Sequence, residues 1–377
     1  MLRHLSQGLV ALSLLVSFSA AESSRAADTT PAIEDDLDRG SLRLAIERSL
    51  EFLAKLPGNQ TVGERPKRLT AREAKDSFRG FVELLDLWQR PQKFGEAVRS
   101  RFDFVPSISD ASHGELLVTG YYEPVLDGSL NPTAVYRFPI YRKPDDLVGM
   151  TPRLSGENSG SAYLSRREID VLGQLRGRGY EIAWVKDPVD LFFLHVQGSG
   201  AIRLEDGRTV RVNYTANNGR SYTSIGKILI DEGKIAAEEL TAASLRRYLV
   251  EHAAERDALL ARNERYVFFR FAEGGPFGSL GVPVTPGRTV ATDPGYFPRG
   301  ALGFLASRMP LIGADGGLAG WRPFSRFVVS QDTGGAIRGP GRVDIFFGSG
   351  EEAGGPAGYM KSGGKFYLLA RKNAGGK

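Results

Sequence analysis

Apolar residues along this chain first recur at helical spacing. Between residues 28 and 101, Leu44, Leu50 and Leu53, then Phe78, Phe81, Leu85 and Trp88, return at intervals close to one turn, which predicts N-terminal helices. Thr70 followed by Glu73 has the spacing of a capping box and marks the start of the second. After Pro106 the texture changes. Stretches 116–122, 134–141, 182–185, 192–197, 210–214 and 266–271 are rich in β-branched and aromatic residues and read as strands. Two helices interrupt them: one is capped by Ser165 with Glu168, and another spans 244–261, where Leu245, Leu249 and Leu259 or Leu260 share a face. From Gly274 onward, Gly and Pro punctuate short apolar segments at 327–330, 343–347 and 366–370, and seven Gly between Gly348 and Gly364 read as a long loop. These elements predict a mainly β fold with peripheral helices, and no repeat of solenoid period occurs.

The first residues follow a different pattern. Arg3 and His4 precede an apolar run from Leu9 to Val16, and the small residues Ser19 and Ala21 follow at the spacing of a cleavage signal. Residues 1–21 therefore read as a secretory signal peptide, with a second acceptable cut after Ala26. The run is well short of the roughly 20 apolar residues that a membrane span requires. The mature chain is expected to be soluble and exported.

Composition narrows the chemistry. With 377 residues and a hydrophobic fraction of 41%, the chain can bury more than one core. The absence of Cys removes disulfides, thiolate nucleophiles, zinc–thiolate sites, iron–sulfur clusters and lipidation of an N-terminal Cys. His4, His113, His195 and His252 are scattered and no H-E-x-x-H occurs, so neither a metal nor a cofactor is expected. A net charge of +5 suits an anionic polymer, but without the concentrated Lys/Arg runs of a nucleic-acid binder. Complete G-x-S-x-G, P-loop and G-x-G-x-x-G motifs are missing, which argues against an α/β-hydrolase, an NTPase and a dinucleotide enzyme.

What remains is carboxylate chemistry. Asp293 in Ala291-Thr-Asp293-Pro-Gly-Tyr-Phe-Pro298, Asp332 in Gln331-Asp332-Thr-Gly-Gly335, and Asp344 in Gly341-Arg-Val-Asp344-Ile-Phe-Phe-Gly348 each sit beside Gly or aromatic residues. Strand alternation sends Val343 and Ile345 one way and Asp344 and Phe346 the other. Aromatic surface beside Asp344 would desolvate it and favour its protonated form, as a general acid near neutral pH requires. Asp332 closes the preceding strand, where it could pair with or orient Asp344. Competing readings are that these Asp cap turns, or that the single Asp332-Thr-Gly belongs to an aspartic-type peptidase whose dyad would need a homodimer.

Several strings together resemble the membrane-bound lytic murein transglycosylase A family: Gly120-Tyr-Tyr-Glu-Pro124, Asp187-Pro-Val with His195-Val-Gln-Gly-Ser-Gly200, Ser224-Ile-Gly-Lys227, Tyr266-Val-Phe-Phe-Arg270, and Gln331-Asp-Thr-Gly-Gly-Ala-Ile337 through Val343-Asp-Ile345. The resemblance runs from about Thr119 to Lys372, and its last section resembles a three-aspartate domain found in other cell-wall proteins. It implies a double-psi β-barrel built from both ends of the chain (28–124 and 273–373), a second β-rich domain inserted at 125–272, and a substrate groove between them. It also implies cleavage of peptidoglycan with formation of 1,6-anhydromuramic ends, Asp344 as acid and base, Asp332 as a supporting carboxylate, and Tyr122, Gln197, Lys227 and Asp293 as groove contacts. The expected protein is a periplasmic monomer, at most peripheral to the outer membrane or wall. Its partner would be a glycan strand, with cell-wall synthases or divisome proteins as the protein partners to look for. A non-catalytic peptidoglycan-binding protein using the same groove is the alternative from another functional class.

Overall fold

A computed structural model describes residues 33–107, 115–147 and 162–372; the signal-peptide reading falls outside them. In chain order the elements are α1 (Arg39–Ala54), β1 (Thr61–Gly63), β2 (Leu69–Thr70), α2 (Ala71–Val82), α3 (Pro91–Arg101), β3 (Phe102–Pro106), β4 (Leu116–Glu123), β5 (Val125–Ser129), β6 (Phe138–Tyr141), β7 (Glu181–Val185), α4 (Pro188–Gln197), β8 (Ser199–Leu204), β9 (Thr209–Asn217), α5 (Ile225–Asp231), α6 (Ala242–Glu251), α7 (Ala253–Ala261), β10 (Val267–Ala272), β11 (Thr289–Ala291), β12 (Leu302–Ile312), β13 (Leu318–Asp332), β14 (Arg342–Ser349), α8 (Glu351–Tyr359) and β15 (Lys361–Arg371). A 3-10 turn at Glu83–Leu87 follows α2, and a single π-turn lies at Arg167–Val171.

Apart from the small β1–β2 pair, the strands form two closed arrangements, as expected of a double-psi barrel with an inserted β-rich body. In the first, the order β12-β13-β11-β14-β4-β15 returns to β12, and β3 adds to the outside of β15. Within it β4–β14 and β11–β13 run parallel, so this barrel needs strands from both ends of the chain. Its interior holds Val118, Val290, Leu305, Val328, Val343, Ile345 and Phe366, while α1–α3 cover its outer face through Leu42, Ile46, Phe78, Phe81 and Phe94. In the second, the order is β10-β9-β8-β5-β7-β6, and a parallel bridge between Arg142 and Phe269 joins its two edges. Leu126, Ile140, Val185, Ile202, Val212 and Phe269 belong to its core, against which α4 lays Leu191 and Leu194.

Several local expectations hold. Thr70 accepts from the Glu73 amide at 3.3 Å while the Glu73 carboxylate takes the Thr70 amide at 2.8 Å, and α2 starts there. Others are corrected. Leu44 is exposed, because α1 buries the 42, 45, 46, 49 and 53 face instead. The expected strand at 192–197 is the helix α4: Asp187 caps the Val189 amide at 2.7 Å, Pro188 occupies the first turn, and Gly198 ends the helix at φ 78°. The expected helix at 244–261 is broken in two at His252, whose ψ of 53° leaves the helical range. Ser165 and Glu168 do form their reciprocal pair, but the turn they start is the π-turn rather than a longer helix. The Gly-rich stretch expected as a loop contains α8. Its glycines allow close packing, since a methyl group on Gly354 would lie 3.0 Å from the Tyr122 ring.

Candidate functional site

Strand register assembles the site. Ala291 on β11 lies opposite Asp332 on β13 and Asp344 on β14, so two carboxylates flank one small residue. Val343 and Ile345 belong to the barrel interior, and alternation therefore sends Asp344 and Phe346 to the outer side, as the strand pattern predicts. In the parallel pairing of β14 with β4, Thr119 lies opposite Asp344 and Tyr121 opposite Phe346. Four residues from strands distant in sequence thus share one face.

Asp344 is 9% exposed and fully engaged. Thr119 Oγ1 donates to Asp344 Oδ1. Arg342, two residues earlier on the same strand face, spans the carboxylate, with Nε to Oδ1 at 3.0 Å and Nη2 to Oδ2 at 3.3 Å. The same guanidinium reaches the Ala336 carbonyl at 3.4 Å, which ties the 333–341 loop to the carboxylate. The structure thus corrects the expectation of a carboxyl set only against aromatic surface: Asp344 is paired with a cation and bonded to a hydroxyl.

Asp332 is held differently. Its Oδ1 accepts from the amides of Ser279 and Thr333, each at 2.8 Å. Burial raises its pKa above the ordinary aspartyl value, and the two amides oppose that rise. Asp332 and Asp344 do not bond each other, so no proton-sharing dyad forms. Tyr121 lies beside both. Its hydroxyl is buried without a hydrogen bond of ordinary geometry, and burial together with the neighbouring negative charge of Asp332 drives its pKa well up.

The remaining sequence candidates separate into distinct roles. Asp293 organises backbone: Oδ1 takes the Gly295 amide at 2.9 Å and Oδ2 the Gly339 amide at 2.7 Å, joining two loops beside the site. Gln197, at the end of α4, accepts from the Tyr122 amide at 3.3 Å, so these two connect the second barrel to β4. The Tyr122 ring packs on Gly354 of α8, and burial raises its phenol pKa. Lys227 stands on the exposed face of α5 and pairs with Asp231 of its own helix at 2.9 Å; none of its bonds reaches the two carboxylates.

Sequence reading missed Arg342, two residues before Asp344 on its own strand, and Thr119 and Tyr121, which only strand pairing brings to it. It also missed Glu123, which is 1% exposed where β4 passes into β5. Glu123 accepts from Ser349 Oγ at 2.6 Å and from Arg211 Nε at 3.3 Å, fastening β9 to β14 near the site. A separate cavity of about 250 Å³, lined by Tyr141, Ile169, Asp170, Leu191 and Leu260 among others, lies between β6, the π-turn, α4 and α7 and contains none of these candidates. Among the described residues no group of His, Asp and Glu is arranged to hold a metal ion, and no helix is long and apolar enough to cross a membrane.

Comparison with known proteins follows the same division. The MltA specific insert domain family matches residues 117–270, and the 3D domain family matches 288–370. The membrane-bound lytic murein transglycosylase A of Vibrio cholerae is 31% identical over 265 residues, which are 69% of this chain and 67% of that protein. The crystal structure of a membrane-bound lytic murein transglycosylase from Agrobacterium tumefaciens is 34% identical, with a TM-score of 0.70 over 88% of this chain and 93% of the other. Escherichia coli MltA with bound chitohexaose is 28% identical, with a TM-score of 0.71 over 92% of this chain and 93% of the other.

Proposed function

This chain belongs to the membrane-bound lytic murein transglycosylase A family, and from that premise we propose that it cleaves the N-acetylmuramic acid to N-acetylglucosamine bond of peptidoglycan with Asp344 as the single acid and base. The observation that carries this reading is the placement of Asp344: one carboxyl on the outer face of the barrel, fixed from two sides and not bonded to the nearby Asp332. Hydrolysing glycosidases use two carboxylates because an outside water must be activated or a covalent intermediate formed. A substrate that supplies its own hydroxyl removes that requirement.

Asp344 in its protonated form donates to the oxygen linking the two sugars as that bond breaks and positive charge spreads over the muramyl C1 and ring oxygen. The departing N-acetylglucosamine end keeps the proton as its new hydroxyl. The carboxylate left on Asp344 then takes the proton of the muramyl C6 hydroxyl while that oxygen bonds to C1, closing the 1,6-anhydro ring and restoring the acid. No water is consumed. Thr119 and Arg342 Nε serve as positioning groups that hold Oδ1, which leaves Oδ2, met only by the longer 3.3 Å contact from Arg342 Nη2, to carry the proton, and the Asp344 carboxylate stabilises the developing cation. Asp332 and Asp293 shape the loops around it through backbone amides, and Gln197 of the second barrel, bonded to the Tyr122 amide of β4, lines the approach. The chitohexaose bound by the E. coli relative supports a groove that takes a β-linked glucosamine polymer. The pattern of residues 1–21 supports action in the periplasm, where such strands lie.

The test is digestion of purified sacculi followed by mass spectrometry. Wild-type protein is expected to release fragments one water lighter than hydrolysis products. Asp344→Asn should lower the rate by about 10³-fold or more, in line with the loss of a central acid–base group, while still binding chitohexaose. Hydrated ends would demand a second carboxylate, and an Asp344→Asn variant that turns over like wild type would remove Asp344 from the mechanism.

A further inference from the structure

Arg265 differs from the guanidinium groups around it. Arg166 is committed to the Asn263 and Arg265 carbonyls and to Asp170, Arg220 to Glu264, and Arg342 to Asp344. The Arg265 side chain has no ion pair and no hydrogen bond among the described residues, although it is only partly exposed. Desolvation lowers its pKa, the nearby Tyr214 opposes that and the nearby cation Arg338 adds to it, so the guanidinium sits partly buried with no bonded counter-charge. Leaving a partly buried cation without a counter-charge is costly, and such positions are where an anionic ligand gains most.

Its location indicates which ligand. Arg265 precedes β10 in the second barrel and lies against the loop that follows Asp332: a methyl group on Gly335 would be 3.6 Å from Arg265 Nε. The next residue, Ala336, accepts from Arg342, which spans Asp344. The unpaired guanidinium is therefore three contacts from the proposed acid, through Gly335-Ala336 and Arg342, across the approach to it. A planar fork of N–H donors suits a carboxylate better than it suits a sugar hydroxyl. We propose that Arg265 reads a carboxylate carried by the glycan strand beside the bond to be cleaved, and so favours muramic residues that present one. This inference rests on the transglycosylase reading above. Two sources share that chemistry: the lactyl carboxylate exposed when a stem peptide is removed, and the carboxylates of the peptide itself.

The experiment compares wild type, Arg265→Gln and Arg265→Lys on three strands: denuded glycan with free lactyl carboxylates, the same glycan with those carboxylates converted to methylamides, and peptide-bearing glycan. The removed group bonds nothing in the free protein, so both variants should melt with wild type. On denuded glycan Arg265→Gln should raise KM by ~10-fold or more, the scale of one lost charged hydrogen bond, with kcat within about 2-fold. Arg265→Lys should recover part of the loss. On the methylamide strand the three proteins should have equal KM, and added salt should raise the wild-type KM only on carboxylated strands. A rise confined to peptide-bearing glycan would assign the carboxylate to the peptide and keep the role of Arg265. Unchanged KM on every carboxylated strand, or the same rise on the methylamide strand, would overturn the inference while leaving the transglycosylase reading intact. A wild-type protein that releases no anhydro-ended fragment from any strand would remove both.

Discussion

Asp332 and Asp344 flank the same alanine, yet their surroundings give them different work. Asp344 has a guanidinium and a hydroxyl, and Asp332 has two backbone amides with no cation bonded to it. Burial raises the Asp332 pKa above the 3.8 of a free aspartyl side chain, which ties it to stability. Below 3.8 the group is protonated in both folded and unfolded chains and costs nothing. As pH climbs from there towards the raised native value, the unfolded chain releases the proton first, so the folded state loses stability across that window. Asp332→Asn keeps an oxygen for both amides but cannot ionise. Its urea-unfolding free energy should therefore gain on wild type as pH rises above 3.8, and parallel curves for the two proteins would show that the carboxyl is not desolvated. Because Asp332 fixes loops rather than transferring protons, the same variant should retain far more activity than Asp344→Asn.

The elements around those residues depend on close approach. Gly120 lies between Thr119 and Tyr121 on β4, and a methyl group there would be 2.7 Å from the Phe347 ring and 2.9 Å from Ala357 Cα of α8. Gly120→Val should cost about 1–3 kcal/mol through overpacking, measured by urea unfolding, and should lower turnover by displacing Thr119 from Asp344. Wild-type stability would mean that α8 can move aside without strain. The same crowding explains why α8 escaped sequence reading: Gly354, Gly355, Gly358 and Pro356 are poor helix formers, and tertiary packing against β4, β12, β14 and Ala243 of α6 favours them there. In α4 the opposite problem arises. Val189, Leu191, Phe192, Phe193, Leu194 and His195 are all buried, so no polar face distinguishes a helix from a strand, and the deciding signals are Asp187-Pro188 and Gly198 at its ends. Strands 116–122 and 343–347 were legible because alternation and β-branched residues survive without context. The aspartates were legible from their Gly-rich flanks. Thr119 was not, since it meets Asp344 across 225 residues through parallel pairing that no local pattern records.

At the scale of the whole molecule, a barrel made from both ends of a chain needs those ends held together, and one buried ion pair contributes to this. Arg288, immediately before β11, is fully buried and donates to Asp35 Oδ2 at 2.6 Å, to the Phe327 carbonyl at 2.9 Å, to the Asp38 carbonyl at 2.8 Å and to Ser41 Oγ at 3.0 Å. Asp35 also accepts the Phe327 amide at 2.8 Å, so the segment before α1 is fastened to both β11 and β13. Those two strands carry Ala291 and Asp332 to the site. Removing one partner of such a pair leaves an uncompensated buried charge, which is far more damaging than replacing both with apolar groups. Asp35→Ala is therefore expected to lose about 3–5 kcal/mol of stability, whereas Asp35→Ala combined with Arg288→Met should recover part of that loss. The measurement is urea unfolding of both variants beside wild type. Below its unfolding transition Asp35→Ala should still release anhydro-ended fragments, because Thr119, Arg342 and Asp344 bond one another without help from Arg288. A loss below about 1 kcal/mol, the range of an exposed pair, would mean that the hydrophobic contact of α1–α3 with the barrel is sufficient to hold the two ends together.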